Sequence, residues 1–423
     1  MINESENRNS SLLQSLSVAW GYLFVLFLLV ANFAGQIPAG RTVSGSAVAV
    51  SSGVQPLPFL PGLYSLLSIA PPFAPDLFEL PLDRLYQFGF SLPSWFFLTG
   101  CQLSSLLLIS YSAFLVARTT SRATVVAERP MPAGWLALTF LPLCIVVMSG
   151  SLALPLSLLG LSLSVAFFER GSGFMAGLAA ALCLFEPAAL ACLLTVGCNA
   201  VFRGRSGGST RIAGGFLVGS MFFSALLFFS SGSDRVHSLL LLELSRLQVR
   251  LTGAAAAHSL DFSVLSTIGR LIPFHVSADC EWGHAIVGIL LAAAIIVVEL
   301  YTGKTLSAFF GSSEEQHCRS VYLGLLLGVV CLPLLMPVLT VREIALLALA
   351  TAPACYVRWS LTCAWRVRQA LLAIWFGCNG LVLLAYFGFS SVGAVLFFSL
   401  VVFAIVRVIE CIRLIGEDGM SAD

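Results

Sequence analysis

Hydrophobic positions in this chain fall in long uninterrupted runs, and charged residues are confined to the gaps between them. Residues 20–30, 212–229, 284–298, 370–385 and 392–406 carry no or almost no charge. A helix needs about 20 mostly apolar residues to cross roughly 30 Å of hydrocarbon, and about ten or more stretches approach that length. Transmembrane β-barrels instead alternate apolar and polar residues in segments of about ten. The pattern therefore predicts an all-α, polytopic integral membrane bundle of about 10–12 spans. Spans are expected near residues 17–34, 91–117, 134–149, 151–168, 173–202, 212–230, 284–303, 320–337, 342–357, 368–387 and 392–412.

Two long polar connections interrupt the runs, residues 35–90 and 231–283. The first is rich in Pro, Gly and Ser. The second holds a candidate interfacial helix over 235–252, with Leu239, Leu242 and Leu247 set against His237, Glu243, Arg246 and Arg250. Arginine placement orients the chain. Arg118, Arg122, Arg129, Arg170, Arg203, Arg205, Arg211, Lys304, Arg319, Arg358, Arg366, Arg368, Arg407 and Arg413 all belong on the cytoplasmic side by the positive-inside rule. A cytoplasmic N-terminus and up-and-down threading satisfy this, except that Arg170 and Arg203 flank 173–202. The conflict disappears if that segment is a hairpin broken at Glu186–Pro187, since proline removes a helix donor and clashes with the preceding turn. Broken helices are tolerated at membrane depth where they face protein or a wet cavity. Both polar connections, with the turns at 149–151, 337–342 and 388–391, then lie on the lumenal side.

Composition narrows the class. Of 423 residues, 58% are hydrophobic and 10% charged, too much apolar surface for a water-soluble fold of this size. A net charge of +1 offers no basic stripe for a nucleic-acid partner. The first apolar run, residues 12–33, follows Glu4, Glu6 and Arg8 and reads as an uncleaved span rather than a signal peptide. Cys101, Cys144, Cys183, Cys192, Cys198, Cys331, Cys355, Cys363, Cys378 and Cys411 sit in or beside apolar segments without a CxxC pair and read as small packing residues. Cys280, between Asp279 and Glu281, reads as a loop cysteine.

Candidate chemistry is sparse. Glu186 is ionisable within an apolar run, which marks a site by default, against the simpler reading that it hydrates or caps the break. Glu299, near the cytoplasmic end of its span and close to Lys304, is expected to snorkel or pair. Arg342 and Glu343 form a second charged break. A guanidinium at a lumenal helix start suits a lipid phosphate, whose oxygens it can fork, and helix N-termini also favour anions. Asn379 is expected to hydrogen-bond to a neighbouring helix. Asp76, Glu79 and Asp83 in the first polar connection lack a DxD pattern, an adjacent acid or a nearby histidine. His237, His258, His275 and His284 match no metal spacing, and no GxSxG, HExxH or Walker loop is present. These residues imply no catalytic constellation, no metal and no cofactor.

The C-terminal third resembles a known family. Pro337-Val-Leu-Thr-Val-Arg-Glu-Ile-Ala-Leu346, an apolar span, Arg366 and Arg368, a further span, the turn Phe387-Gly-Phe-Ser-Ser-Val392 and a last span ending at Arg413 look like the corresponding part of PIG-U. PIG-U is the many-span subunit of glycosylphosphatidylinositol (GPI) transamidase. Its Pro-Thr-x-Gly-Asp-x-x-Leu element is similar to Thr340–Leu346, with Arg342 for Gly and Glu343 for Asp. Ser172–Leu178 through Phe185-Glu186-Pro187 to Arg203 is similar to its Ser-x-Phe-Leu helix and Tyr-Pro break. The family's His-containing segment is not evident around 55–66, and Ser390 and Ser391 replace an Asn-rich turn. The resemblance implies the architecture of membrane mannosyltransferases without their activity. It further implies an endoplasmic reticulum location and a role in holding the GPI lipid beside a caspase-like catalytic subunit. On that reading Glu186, Arg342, Glu343, Ser390 and Ser391 line the lipid site. Two other readings stand beside it: a polyprenyl-phosphate-sugar-dependent glycosyltransferase of the GPI or N-glycan pathway, with a lumenal acid as base, and a transporter with half-helices around Glu186.

Overall fold

A computed structural model describes residues 19–26, 94–122, 138–202, 208–231, 281–308, 314–336, 339–351 and 361–420, with positions 82, 236–238, 241, 262–264 and 267. Among the described residues the fold is all-α. In chain order the elements are α1 (19–26), α2 (Ser94–Arg122), α3 (Leu141–Ser149), α4 (Ala153–Glu169), α5 (Gly173–Ala180, continued by a 3₁₀ turn Ala181–Phe185), α6 (Ala188–Ala191), α7 (Leu194–Phe202), α8 (Gly208–Ser231), α9 (Glu281–Ala308), α10 (Glu314–Leu335), α11 (Val341–Ala345), α12 (Ala348–Thr351), α13 (Leu361–Tyr386) and α14 (Ser390–Met420).

Among the described residues, five helical stretches are long and apolar enough to cross a membrane: Thr99–Thr119, Ser209–Phe229, Ile289–Leu306, Trp365–Tyr386 and Ser390–Leu414. On α8 and α9 the outward residues are large and apolar, among them Met221, Phe222, Phe229, Ile289, Leu290 and Val297. Such a surface suits lipid rather than water.

The expected spans at 134–149 and 342–357 are not continuous helices. The first is the nine-residue α3, closed by Gly150 at φ 73. The second is replaced by the short α11 and α12. The reason is burial: Leu339 and Ile344 to Ala348 are all 0% exposed. These runs are apolar because protein surrounds them, so they need not span lipid. Asn379 holds α3 in place, as expected of a polar residue in mid-span. Its Oδ1 accepts from Leu141 N at 2.8 Å and its Nδ2 donates to Thr139 O at 3.3 Å. Trp375 Nε1 adds a bond to Thr139 Oγ1 at 2.9 Å.

The segment 173–202 leaves from the end of the bundle at which it enters. Helix α5 runs antiparallel to α4, with Ser164 Oγ on Ala176 O at 2.9 Å and Ser157 Oγ on Leu182 O at 3.4 Å. It runs parallel to α8, because Gly215 abuts Phe174 and Leu178 while Gly219 abuts Leu178 and Ala181. Only glycine permits this approach: a Cβ on Gly215 would lie 2.0 Å from Phe174 O. Since α7 joins the start of α8 through residues 203–207, both ends of the segment lie at that end. The two limbs are splayed. One packs on α4 and α8, and the other on α9 and α10, where Gly328 faces Cys192 O.

Most described cysteines are buried free thiols, as expected. Cys411 is a correction, because it is disulfide-bonded and not merely a packing residue.

Candidate functional site

The polar breaks converge at one end of the bundle. The 3₁₀ turn Ala181–Phe185 ends at Glu186, whose extended backbone (φ −139, ψ 90) leads into Pro187. Proline explains the stop, since it cannot continue the ladder. At the second break, α10 ends at Leu335, after Pro333, and the chain re-enters a helix at Thr340. Here a capping box forms: Thr340 Oγ1 accepts from Arg342 N at 3.3 Å, and a Glu343 carboxylate oxygen accepts from Thr340 N at 2.7 Å and from the Thr340 hydroxyl. The box aims the Arg342 side chain back across the gap. Its Nε stands 3.6 Å from Glu186 Oε2, with side chains 22% and 11% exposed. Two charges picked out separately in the sequence are thus partners.

Residues from both long polar connections pack against these breaks. Leu82 of the first and Val236 of the second share an apolar cluster with Phe185, Leu152, Phe223 and Leu227. Phe185 meets Phe223 edge-on at 5.0 Å. Phe262 N, also of the second connection, donates to Leu339 O at 2.8 Å, next to the capping box. A third cluster joins Val341 to Ile145, Val382, Ala385 and Tyr386. It brings in the turn Phe387–Phe389, where Gly388 adopts φ 85 and Phe389 N bonds Leu384 O at 2.8 Å. Ser390 and Ser391 follow that turn, half-buried, at the same end of the bundle.

Apart from Arg342, the arginines described below lie at the opposite end. Arg366 at the start of α13 and Arg407 near the end of α14 both contact Glu410, at 3.3 and 2.8 Å. Arg118 lies near the end of α2, Arg170 follows α4 and Arg211 lies in the first turn of α8, at that end as well. The grouping deduced from the arginines is thus seen in space for the described positions.

Some site expectations need correction. Helix α11 has only five residues, and the capping box occupies the N–H groups of Thr340 and Arg342. No helix-terminus anion site exists there, so any anion at this break must be held by the guanidinium itself. Glu343 is committed to the cap. Glu299 does not snorkel: it is 0% exposed, with the Cys331 thiol as a weak hydrogen-bonding neighbour, while Lys304 is exposed. Asp76, Glu79, Asp83, Cys280, His258, His275, the candidate helix 235–252 apart from the helical positions 236–238 and 241, and most of the connections 35–90 and 231–283 lie outside the described residues. Among the described residues no group of three or more His, Cys, Asp or Glu could hold a metal.

Compared with protein-family models, curated proteins and solved structures, the chain matches none. The fold and site define a class, a polytopic helical membrane protein with a charged break cluster at one end.

Proposed function

We propose that this chain is a non-catalytic membrane subunit of a GPI transamidase in the endoplasmic reticulum, where it holds the phosphate-bearing head of the GPI lipid. The reading rests on one observation, the convergence of both helix breaks on the Glu186–Arg342 pair beneath residues of both polar connections. A guanidinium carries five N–H donors in a fixed fork, so a phosphodiester anion can engage Arg342 beside Glu186 or in its place. Glu186 keeps the arginine oriented without the lipid, and Glu343 fixes the turn that presents it. Ser390 and Ser391, at the same end, supply hydroxyls for a glycan. The resemblance to PIG-U supplies the identity of the lipid and of the caspase-like catalytic partner.

The test is purification of the tagged chain in mild detergent, with identification of co-purifying proteins. A caspase-like cysteine protease is expected among them. Arg342→Ala should then reduce surface display of GPI-anchored proteins while the complex stays intact. Absence of the protease, or unchanged display at normal expression, overturns the reading.

A further inference from the structure

Below the Glu186 break lies a second polar cluster that this function does not use. Glu299 and Gly303 are one turn apart on α9 and share a face. Gly303 is pressed onto α7: a Cβ there would lie 3.2 Å from Asn199 N and 3.3 Å from Thr195 O. Thr195 and Asn199 are likewise one turn apart on α7. All three polar residues are 0% exposed. Thr195 Oγ1 and Asn199 Oδ1 and Nδ2 have no hydrogen-bond partner among the described residues, and neither Glu299 oxygen meets an O–H or N–H donor there. The Cys331 thiol hydrogen-bonds to Glu299, but a thiol is a weak donor, and the Cys192 and Cys198 thiols lie near enough only to feel its charge. Between α6 and α7 the helix is interrupted at Cys192–Leu193.

A carboxylate met only by a thiol is costly in an apolar interior, and with the unpartnered Thr195 and Asn199 atoms at the same helix crossing it calls for an occupant. The donors are oxygens: a carboxylate, a hydroxyl and an amide carbonyl. Oxygen sets suit hard cations. One carboxylate balances one positive charge, whereas a divalent ion would leave net charge in a low-dielectric site. Interrupted membrane helices provide such sites elsewhere. We propose that the α7–α9 crossing binds a monovalent alkali cation, with Glu299 as counter-charge and Thr195 and Asn199 as further ligands. The bound ion would pin the lower limb of the hairpin whose tip carries Glu186.

The test uses the full chain with its co-purifying partners, in detergent at constant pH. Thermal unfolding is followed by tryptophan fluorescence in sodium, potassium or lithium chloride against equimolar choline chloride. At least one alkali cation should raise the midpoint by about 2–4 °C. Glu299→Gln should abolish the shift, and Asn199→Ala and Thr195→Val should reduce it. Equal midpoints in alkali and choline salts overturn the proposal, as does a full shift persisting in Glu299→Gln. Should Glu299→Gln fail to fold, an undiminished shift in both of the other variants overturns it equally.

Discussion

Arg342 lies across from Glu186, guanidinium Nε to carboxylate oxygen 3.6 Å, and joins the two interrupted segments of the bundle. Glu186 sits where the 3₁₀ turn stops and Arg342 in the first turn of α11, so the pair links the end of one element to the start of another. The pairing therefore has consequences both for stability and for any anion that reaches the break.

The first prediction concerns the pair itself. Removing one partner leaves a largely buried charge, at a cost of about 1–3 kcal/mol. Glu186→Gln and Arg342→Gln should each lower the unfolding midpoint in detergent. Because the two residues are in contact, the double variant should lose less than the sum of the single losses. Additive losses would mean that the contact contributes nothing to the folded protein.

A second prediction tests the cap that directs Arg342. Thr340→Val removes the side-chain acceptor for Arg342 N and should cost about 1 kcal/mol. Glu343→Ala removes the reciprocal half of the same box, so the combined variant should be scarcely worse than either alone. Thermal unfolding of the three variants reads this directly. If Glu343 acts only through the lipid, its replacement will leave the midpoint unchanged.

How far the sequence disclosed this arrangement depends on what each signal measures. The break at Glu186–Pro187 was legible because proline and the flanking arginines report independently on the same bend. The grouping of polar breaks at one end and arginines at the other followed from the same rule. The spans at 134–149 and 342–357 were misread because hydropathy does not distinguish a residue facing lipid from one facing protein. Ile344 to Ala348, all 0% exposed, are as apolar as the outward face of α8. Pairing of Glu186 with Arg342 was not legible at all, since no local spacing links them. Glu299 was misjudged because proximity to Lys304 in sequence suggested an ion pair. It lies on the same face of α9 as Gly303, which packs on α7, and this turns it inward.

Topology gives a third prediction. The parallel packing of α5 on α8 requires the two ends of 173–202 to share a side of the membrane. In a background freed of reactive cysteines, Arg170→Cys and Ser209→Cys should react with an impermeant maleimide from the same side. Labelling from opposite sides would make 173–202 a single crossing and remove the hairpin that carries Glu186.

The fourth prediction concerns the contact that gives the hairpin its direction. Neighbouring glycines on α8 differ sharply in surroundings: a Cβ on Gly215 would collide with Phe174 O at 2.0 Å, whereas one on Gly214 meets nothing within 4 Å. Without a hydrophobic driving force between helices in lipid, close backbone approach through small residues is what holds α5 against α8. Gly215→Val should therefore separate the two helices, and Gly214→Val should not, although both changes add the same apolar volume and the same β-branching. The measurements are monodispersity on size exclusion in detergent and the unfolding midpoint. Gly215→Val is expected to aggregate or to unfold several degrees lower, with Gly214→Val close to the parent. Equal behaviour of the two variants would show that α5 and α8 do not meet at Gly215. The parallel packing that places Glu186 opposite Arg342 would then have to be abandoned.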